Sequence, residues 1–347
     1  MSYNKLLRWT ALTGLVFLLF SQQTNAQALF TDDSILQVRI EAPLETLSRE
    51  RPDDEYLDGS LSYTEADGRM QRFDVRLQTR GRFRRQRSTC PFPPVRLNFK
   101  TGDLVGSLLE GQDKLKLVTH CNTRRDKFEQ LVMREYLAYR ILNSLTDLSF
   151  RTRLLHITYV DTENDNESIT RYGFVIEDDD DLGKRIGMES LETAKLKYSD
   201  VDQAHTNLVT VFQYLIGNTD YSLIRGPADD DCCHNAVPFS DGSLVWPVPY
   251  DFDFSGLVDA PYADPAPQFN IRSVRTRVYR GRCSNNDILD ETLGAIRAKK
   301  EDIYGLVSAL PDLDDRSRRQ VTQYLDSFFR VAEDEKRIER EFVRECS

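Results

Sequence analysis

The sequence is poor in histidine, with four in 347 residues, and has no C-x-x-C pair with partner histidines. It therefore lacks the thiolate and imidazole ligand set of a zinc site. His120, His156 and His205 are too scattered to support a Ser-His-Asp arrangement, and only His234 lies near other polar candidates. Basic residues are outnumbered, with 46 Lys and Arg against 56 Asp and Glu and a net charge of -10. That balance disfavours a generic nucleic-acid binder, because attraction to phosphates needs local basicity. Beyond the N-terminal segment, no stretch approaches the roughly 18 uninterrupted apolar residues of a spanning helix. Internal repeats, low-complexity tracts and long Pro-, Gly- and Ser-rich runs are also missing, so no linker is expected.

What is present begins with an export signal. Lys5 and Arg8 precede an apolar run over residues 11–20, and Thr24-Asn-Ala26-Gln-Ala28 supplies an A-x-A cleavage site near Ala26 or Ala28. The run is too short to span a bilayer and no cysteine follows it. A cleaved signal over 1–28, a secreted or periplasmic mature chain and no stable membrane insertion are expected. All six cysteines, Cys90, Cys121, Cys232, Cys233, Cys283 and Cys346, lie in the exported part, and an even count in an oxidising compartment implies disulfides. The expected pairs are Cys90 with Cys121, and the adjacent Cys232 and Cys233 with Cys283 and Cys346, since a bridge between neighbours is geometrically disfavoured.

Hydropathy divides the rest into two regions. From Leu36 onward residues alternate: Leu36, Val38, Ile40; Leu61, Tyr63; then Phe73, Val75, Leu77 after an Asp67-Gly68 turn, a hairpin signal. Further strands are predicted over 95–99, 115–119, 154–160 and 169–176, together an antiparallel sheet. One helix is predicted over 126–144, striped by Phe128, Leu131, Val132, Ala138, Tyr139 and Leu142. Glu135 falls within that stripe, where a carboxylate needs a partner. Lys116 or Lys114 on the preceding strand is one candidate, and an arginine of purely structural role is the other. Between two strands, residues 80–87 place five arginines around Gly81 and Phe83, a loop suited to phosphate oxygens through arginine forks, or else a solvated basic loop. The acidic residues 177–181 read as a solvated face. Residues 288–310 and 315–343 have helical spacing, broken at Pro311.

The chain is organised around residues 212–257. Leu208, Val211, Phe212 and Leu215 form a core-facing helix stripe that Gly217 caps, so Asn218, Thr219 and Asp220 emerge just past a buried helix. The extended run from Ser243, with prolines at 247 and 249, argues against a central strand and delivers Asp251-Phe-Asp253 to a loop. Carboxylates and an amide are hard oxygen ligands for Mg²⁺, Mn²⁺ or Ca²⁺. A divalent site beside a spare carboxylate suits phosphoryl transfer.

The order Gly217-Asn-Thr-Asp220, then His234-Asn235, then Tyr250-Asp251-Phe-Asp253-Phe-Ser-Gly256 resembles the catalytic half of the CotH-like (spore-coat protein H) family of atypical secretory kinases. Weaker similarity runs back through Arg76 to Lys184. The resemblance implies that Asp220 is the catalytic carboxylate, Asn235 a metal-side amide, Asp251 the principal metal ligand and Asp253 a second one. It implies that Lys116 and Glu135 position phosphates together with Arg80 and Arg82 of the arginine loop, and that ATP with Mg²⁺ or Mn²⁺ is the cofactor. Two departures stand out. Fourteen residues separate Asp220 from Asn235, and Pro94-Val-Arg96 places Arg96 where many members carry lysine.

The expectation is thus an α+β, two-lobe, atypical kinase-like fold, with an antiparallel-sheet lobe over 29–177 and a mainly helical catalytic lobe over 178–347. The expected activity is metal-dependent transfer of the ATP γ-phosphoryl group to a hydroxyl of an exported protein; the expected partners are a nucleotide and that acceptor, with no nucleic acid. The alternatives are a catalytically inactive relative acting as a secreted or envelope binding module, and a metal-dependent transferase or hydrolase of glycans or phosphate esters.

Overall fold

Alternating apolar residues form strands because a pleated backbone sends successive side chains to opposite faces. In the computed structural model, which describes residues 25–227 and 230–347, every predicted strand of the first half is present. The apolar run of the expected export signal lies outside the described residues. The order is β1 (Leu36–Ala42), α1 (Leu44–Glu50), β2 (Leu57–Thr64), β3 (Met70–Thr79), β4 (Val95–Phe99), β5 (Lys114–Val118), α2 (Lys127–Leu145), β6 (Thr152–Asp161) and β7 (Ser168–Ile176). The Asp67-Gly68 turn joins β2 to β3, with Thr64 opposite Met70.

The expected all-antiparallel sheet, and with it the two-lobe kinase-like fold, is not what forms. β1 pairs in parallel with β6, from Leu36 opposite Leu155 to Ala42 opposite Asp161. That pairing closes the seven strands, in the order β1-β2-β3-β4-β5-β7-β6, into a mixed barrel. Alternation reveals which segments are strands and which face is apolar. It does not reveal that the first strand finds a partner far along the chain, although closure is the most complete way to remove unpaired edges. Leu61, Val75, Leu97, Leu117, Ile157 and Val175 belong to one buried cluster in the barrel region.

The second region contains α3 (Asp179–Ile186), β8 (Glu189–Ser190), α4 (Gln203–Ile216), β9 (Ala236–Ser240), β10 (Val245–Pro249), α5 (Leu289–Ala298), α6 (Lys300–Ala309), α7 (Asp315–Ala332) and α8 (Glu335–Ile338). It is therefore not purely helical. β8, β9 and β10 form a small antiparallel sheet with β10 at its edge, where Pro247 and Pro249 cost no ladder bond on the open side. Residues 177–181 are not a plain solvated face. Glu177 is buried and paired with Arg185 at 2.8 Å, and the Asp178 side chain caps α3 by accepting from the Asp180 N–H, with the acids of the first turn favoured by the helix dipole.

α2 is buried on most of its surface from Val132 to Leu142, because it lies between two layers rather than on one. Its Tyr139 and Leu142 share a core with Phe174 of β7, Phe212 of α4, Phe252 and Phe328 of α7. That core runs continuously across residue 177.

Three disulfides form. Cys90–Cys121 is as expected, but Cys283 joins Cys346, and Cys232 joins Cys233. The Cys283–Cys346 pair is set by local backbone pairing: the Ser347 N–H donates to the Gly281 carbonyl at 2.9 Å and the Cys283 N–H to the Ser347 carbonyl at 3.3 Å. No helix among the described residues is long and apolar enough to cross a membrane, and the disulfides accord with an oxidising compartment.

His120 is fully buried, stacked on Phe92 at 4.6 Å and beside Tyr159, and neither ring nitrogen has a hydrogen-bond partner among the described residues. Burial holds its pKa down to about 3. The unfolded chain, whose imidazole titrates near 6.5, then binds a proton that the folded protein refuses, so stability is complete above that pH and is lost on acidification. His120→Phe should abolish this component, so its unfolding free energy, from urea titrations, should gain on the wild-type value by about 1.4 kcal/mol per pH unit as pH falls from 6.5 toward 3. Parallel pH profiles for the two proteins would contradict the buried neutral imidazole.

A cleft joining Asp220, Asn235, Asp251 and the arginine loop

The helix α4 stops where its sequence says it should. Gly217 adopts φ +67° and donates to the Gln213 and Tyr214 carbonyls. A Cβ there would lie 1.9 Å from the Tyr324 hydroxyl, so both the conformation and the space require glycine. The chain then turns through buried Asn218, whose side-chain oxygen accepts the Asp220 N–H at 2.9 Å. This leaves the Asp220 carboxylate about one third exposed, at 35 %. Its Oδ1 lies 2.8 Å from His234 Nε2. Asn235 Nδ2 donates to Oδ2 at 3.1 Å and to the Asp220 carbonyl at 2.7 Å. The hydrogen bond to Asp220 is what chiefly raises the His234 pKa.

Asn235 and Asp251 flank the same two-stranded ribbon. Ala236 of β9 faces Pro249 of β10, and the Tyr250 N–H donates to the Asn235 carbonyl at 3.0 Å. Both residues are left-handed, with φ +52° and +60°. Asn and Asp tolerate that conformation better than other side chains, but it still costs roughly 1 kcal/mol each. The Asp251 N–H is held by the Tyr139 hydroxyl of α2 at 2.9 Å.

The arginine loop closes the opposite wall. Arg84 is nearly buried and reaches three carboxylates: Glu135 at 2.8 Å, Asp251 at 2.6 Å and Asp253 at 3.2 Å. Burial opposes its charge, yet Asp253, Glu135 and Asp251 raise its pKa well above the usual range. Burial in turn pushes the carboxyls of Asp253 and Glu135 up, with Arg84 working against it and Asp251 adding to it. Arg80 differs: it lines the cleft, and its buried Nε has no hydrogen-bond partner among the described residues. Burial, then Arg84, lowers its pKa. Arg82 bridges across to Asp230 at 2.5 Å.

The result is a cleft of about 540 Å³ into which Asp220, His234, Asn235, Asp251, Arg80 and Arg82 all open. An adjoining recess holds Lys116, Phe150, Ile176 and Tyr250 beside Arg80 and Asp251. Most of the residues singled out from sequence are therefore brought together, but two expected roles change. Glu135 takes the arginine alternative, pairing with Arg84 rather than with Lys116 or Lys114. Lys116 instead binds Asp179 at 2.6 Å, because its position opposite Ile176 on β7 sends it toward the start of α3. Arg96 stands opposite Lys116 on the barrel wall and does not line the cleft. The residues sequence reasoning passed over are Arg84, one of five arginines with nothing local to distinguish it, and His234, noted only for its proximity.

As a metal site the donor set is hard and oxygen-rich but sparse. Among the described residues no three His, Cys, Asp or Glu side chains are grouped closely enough to hold an ion by themselves, and Asp253 is 3 % exposed with Arg84 against it. Asp251 keeps one oxygen free of hydrogen bonds among the described residues, and Asn235 engages Asp220 through Nδ2, leaving Oδ1 as a metal-ligating oxygen. Such a pair fits Mg²⁺ or Mn²⁺, which are commonly held by one or two protein oxygens with substrate phosphates and water completing the shell. No protein-family model matches the chain, and no curated protein matches it.

Proposed function

We propose that this cleft is the active site of an exported, metal-dependent phosphotransferase of the CotH-like kind, moving the γ-phosphoryl group of ATP to a protein hydroxyl. The reading does not depend on the barrel, since function resides in the site and not the fold. One observation carries it: Asp220 and Asp251, delivered by separate loops, open into the same cleft as Arg80, a guanidinium with no carboxylate partner among the described residues. Arg80 offers a fork to phosphate oxygens, and Arg82, 80 % exposed, would add a second on exchanging Asp230 for phosphate. Asp220, fixed by Asn218, His234 and Asn235, takes the proton of the attacking hydroxyl as its oxygen bonds to phosphorus and the bond to the β-phosphate oxygen breaks, releasing ADP. Asp251 and Asn235 would hold the divalent ion, which supplies neutralisation of phosphate charge.

The test is a thermal shift on the oxidised protein with ATP and Mn²⁺, together and separately, repeated on Asp251→Ala. A ligand at a hundredfold excess over Kd stabilises by about 2.7 kcal/mol. A shift that needs both components and vanishes in the variant is expected. The ion pair of Arg84 with Asp251 favours a second reading, in which the cleft binds an anion without turnover. ATP alone would then give the full shift and Mn²⁺ would add nothing.

A further inference from the structure

The Asp220 N–H and carbonyl and the carbonyls on either side of it are all engaged, and two of the engagements come from one distant side chain. The Asp220 N–H goes to Asn218 and its carbonyl to Asn235. The carbonyl before it, on Thr219, and the carbonyl after it, on Tyr221, both accept from Arg280 Nη1, the first at 3.0 Å. The Arg280 guanidinium lies between two rings, 4.4 Å from the centroid of Tyr221 and 5.1 Å from that of Phe269. A half-buried arginine usually seeks a carboxylate or a phosphate; this one spends its donors on the carbonyls of a three-residue turn, although Asp220 lies within that turn. Charge-assisted bonds to carbonyls fix a backbone more firmly than neutral ones, and the aromatic faces restrict where the guanidinium can go.

From this geometry we infer that Arg280 is a positioning residue for Asp220: it sets the turn so that the carboxylate meets His234 and Asn235 and points into the cleft. The catalytic consequence rests on the role proposed for Asp220, whereas the placement does not. A one-ångström displacement of a catalytic group costs on the order of 100-fold in rate, and constellations of this kind are held by their supporting shell.

The experiment compares wild type, Arg280→Met and Arg280→Lys in the full oxidised chain, with two readouts. The first is the ring ¹H–¹⁵N NMR signals of His234, assigned by loss in His234→Gln. The second is phosphate release from ATP with Mn²⁺. Arg280→Met is expected to shift the His234 signals and to lower kcat by roughly 10- to 100-fold, with KM for ATP little changed. Arg280→Lys, whose ammonium keeps the charge and donors but loses the planar guanidinium that lies over the Tyr221 and Phe269 rings and fixes the donor between the two carbonyls, should fall between. His234 signals and kcat both at wild-type values in a folded Arg280→Met protein would overturn the inference. If Arg280→Met does not fold, wild-type His234 signals and kcat in Arg280→Lys would overturn it. If wild type releases no phosphate, the proposed activity fails, yet the His234 signals still decide whether Arg280 places Asp220.

Discussion

Asp220→Asn is expected to lower phosphate release from ATP and Mn²⁺ by roughly 10³-fold, within the range of general-base losses. The substitution is nearly isosteric and can still accept the Asn235 amide, which stands 3.1 Å from Oδ2, so the thermal midpoint should move by only a few degrees. Nucleotide binding, measured by the ATP and Mn²⁺ shift, should persist, because the proposed phosphate and ion contacts come from Arg80, Arg82 and Asp251. Loss of turnover with retained binding is the signature of a proton acceptor. Full turnover in a folded Asp220→Asn protein would remove Asp220 from that role, and lost binding would make it a ligand instead.

Arg84→Met should be the most destabilising single change in the cleft, by about 3–5 kcal/mol, the usual cost of removing one partner from a buried ion pair. Glu135 is 2 % exposed and Asp253 3 %, and neither can reach water once the guanidinium is gone. Urea unfolding should show a lower midpoint with an unchanged m-value. The pH dependence has a definite sign. Without Arg84 both carboxyls are held further above their unfolded pKa values, so the folded state favours their protonated forms. Stability is then greatest below those values and is lost as pH rises through them. The deficit of the variant relative to wild type should accordingly shrink between pH 7 and pH 5. An equal deficit at both would show that Arg84 matters through its packing and not its charge.

Much of this was legible from residue order. Strands announced themselves by alternation at Val38 and Ile40 or Val75 and Leu77, since a period of two is a local property. Gly217 marked the end of α4 for an equally local reason, and so identified the turn that carries Asp220. The expected Cys90–Cys121 pair also forms. Other features depend on approach through space. Lys116 lies on the strand that precedes α2, but the pairing of β5 with β7 turns it toward Asp179. Arg84 cannot be told from Arg80, Arg82, Arg85 or Arg87 by composition, and only the junction of loop, helix and ribbon selects it. The adjacent cysteines were assigned to distant partners because neighbours rarely bridge, while the pairing of Gly281 with Ser347 had already committed Cys283 to Cys346.

The parallel pairing of Leu36 with Leu155 also bears on how the molecule comes into being. A chain that emerges N-terminus first presents β1 well before β6 exists, so β1 can take β2 on one side while its other edge waits. Contacts this remote along the chain carry a large loop-closure cost and slow the search for the native state. Until β6 arrives, the intermediate is an open sheet with an unpaired β1 edge, a form prone to pair with a neighbouring chain. The last ladder to zip is therefore the one that separates a closed barrel from an aggregation-competent sheet, and the yield of folded protein should be decided there, well before the cleft acquires any ligand.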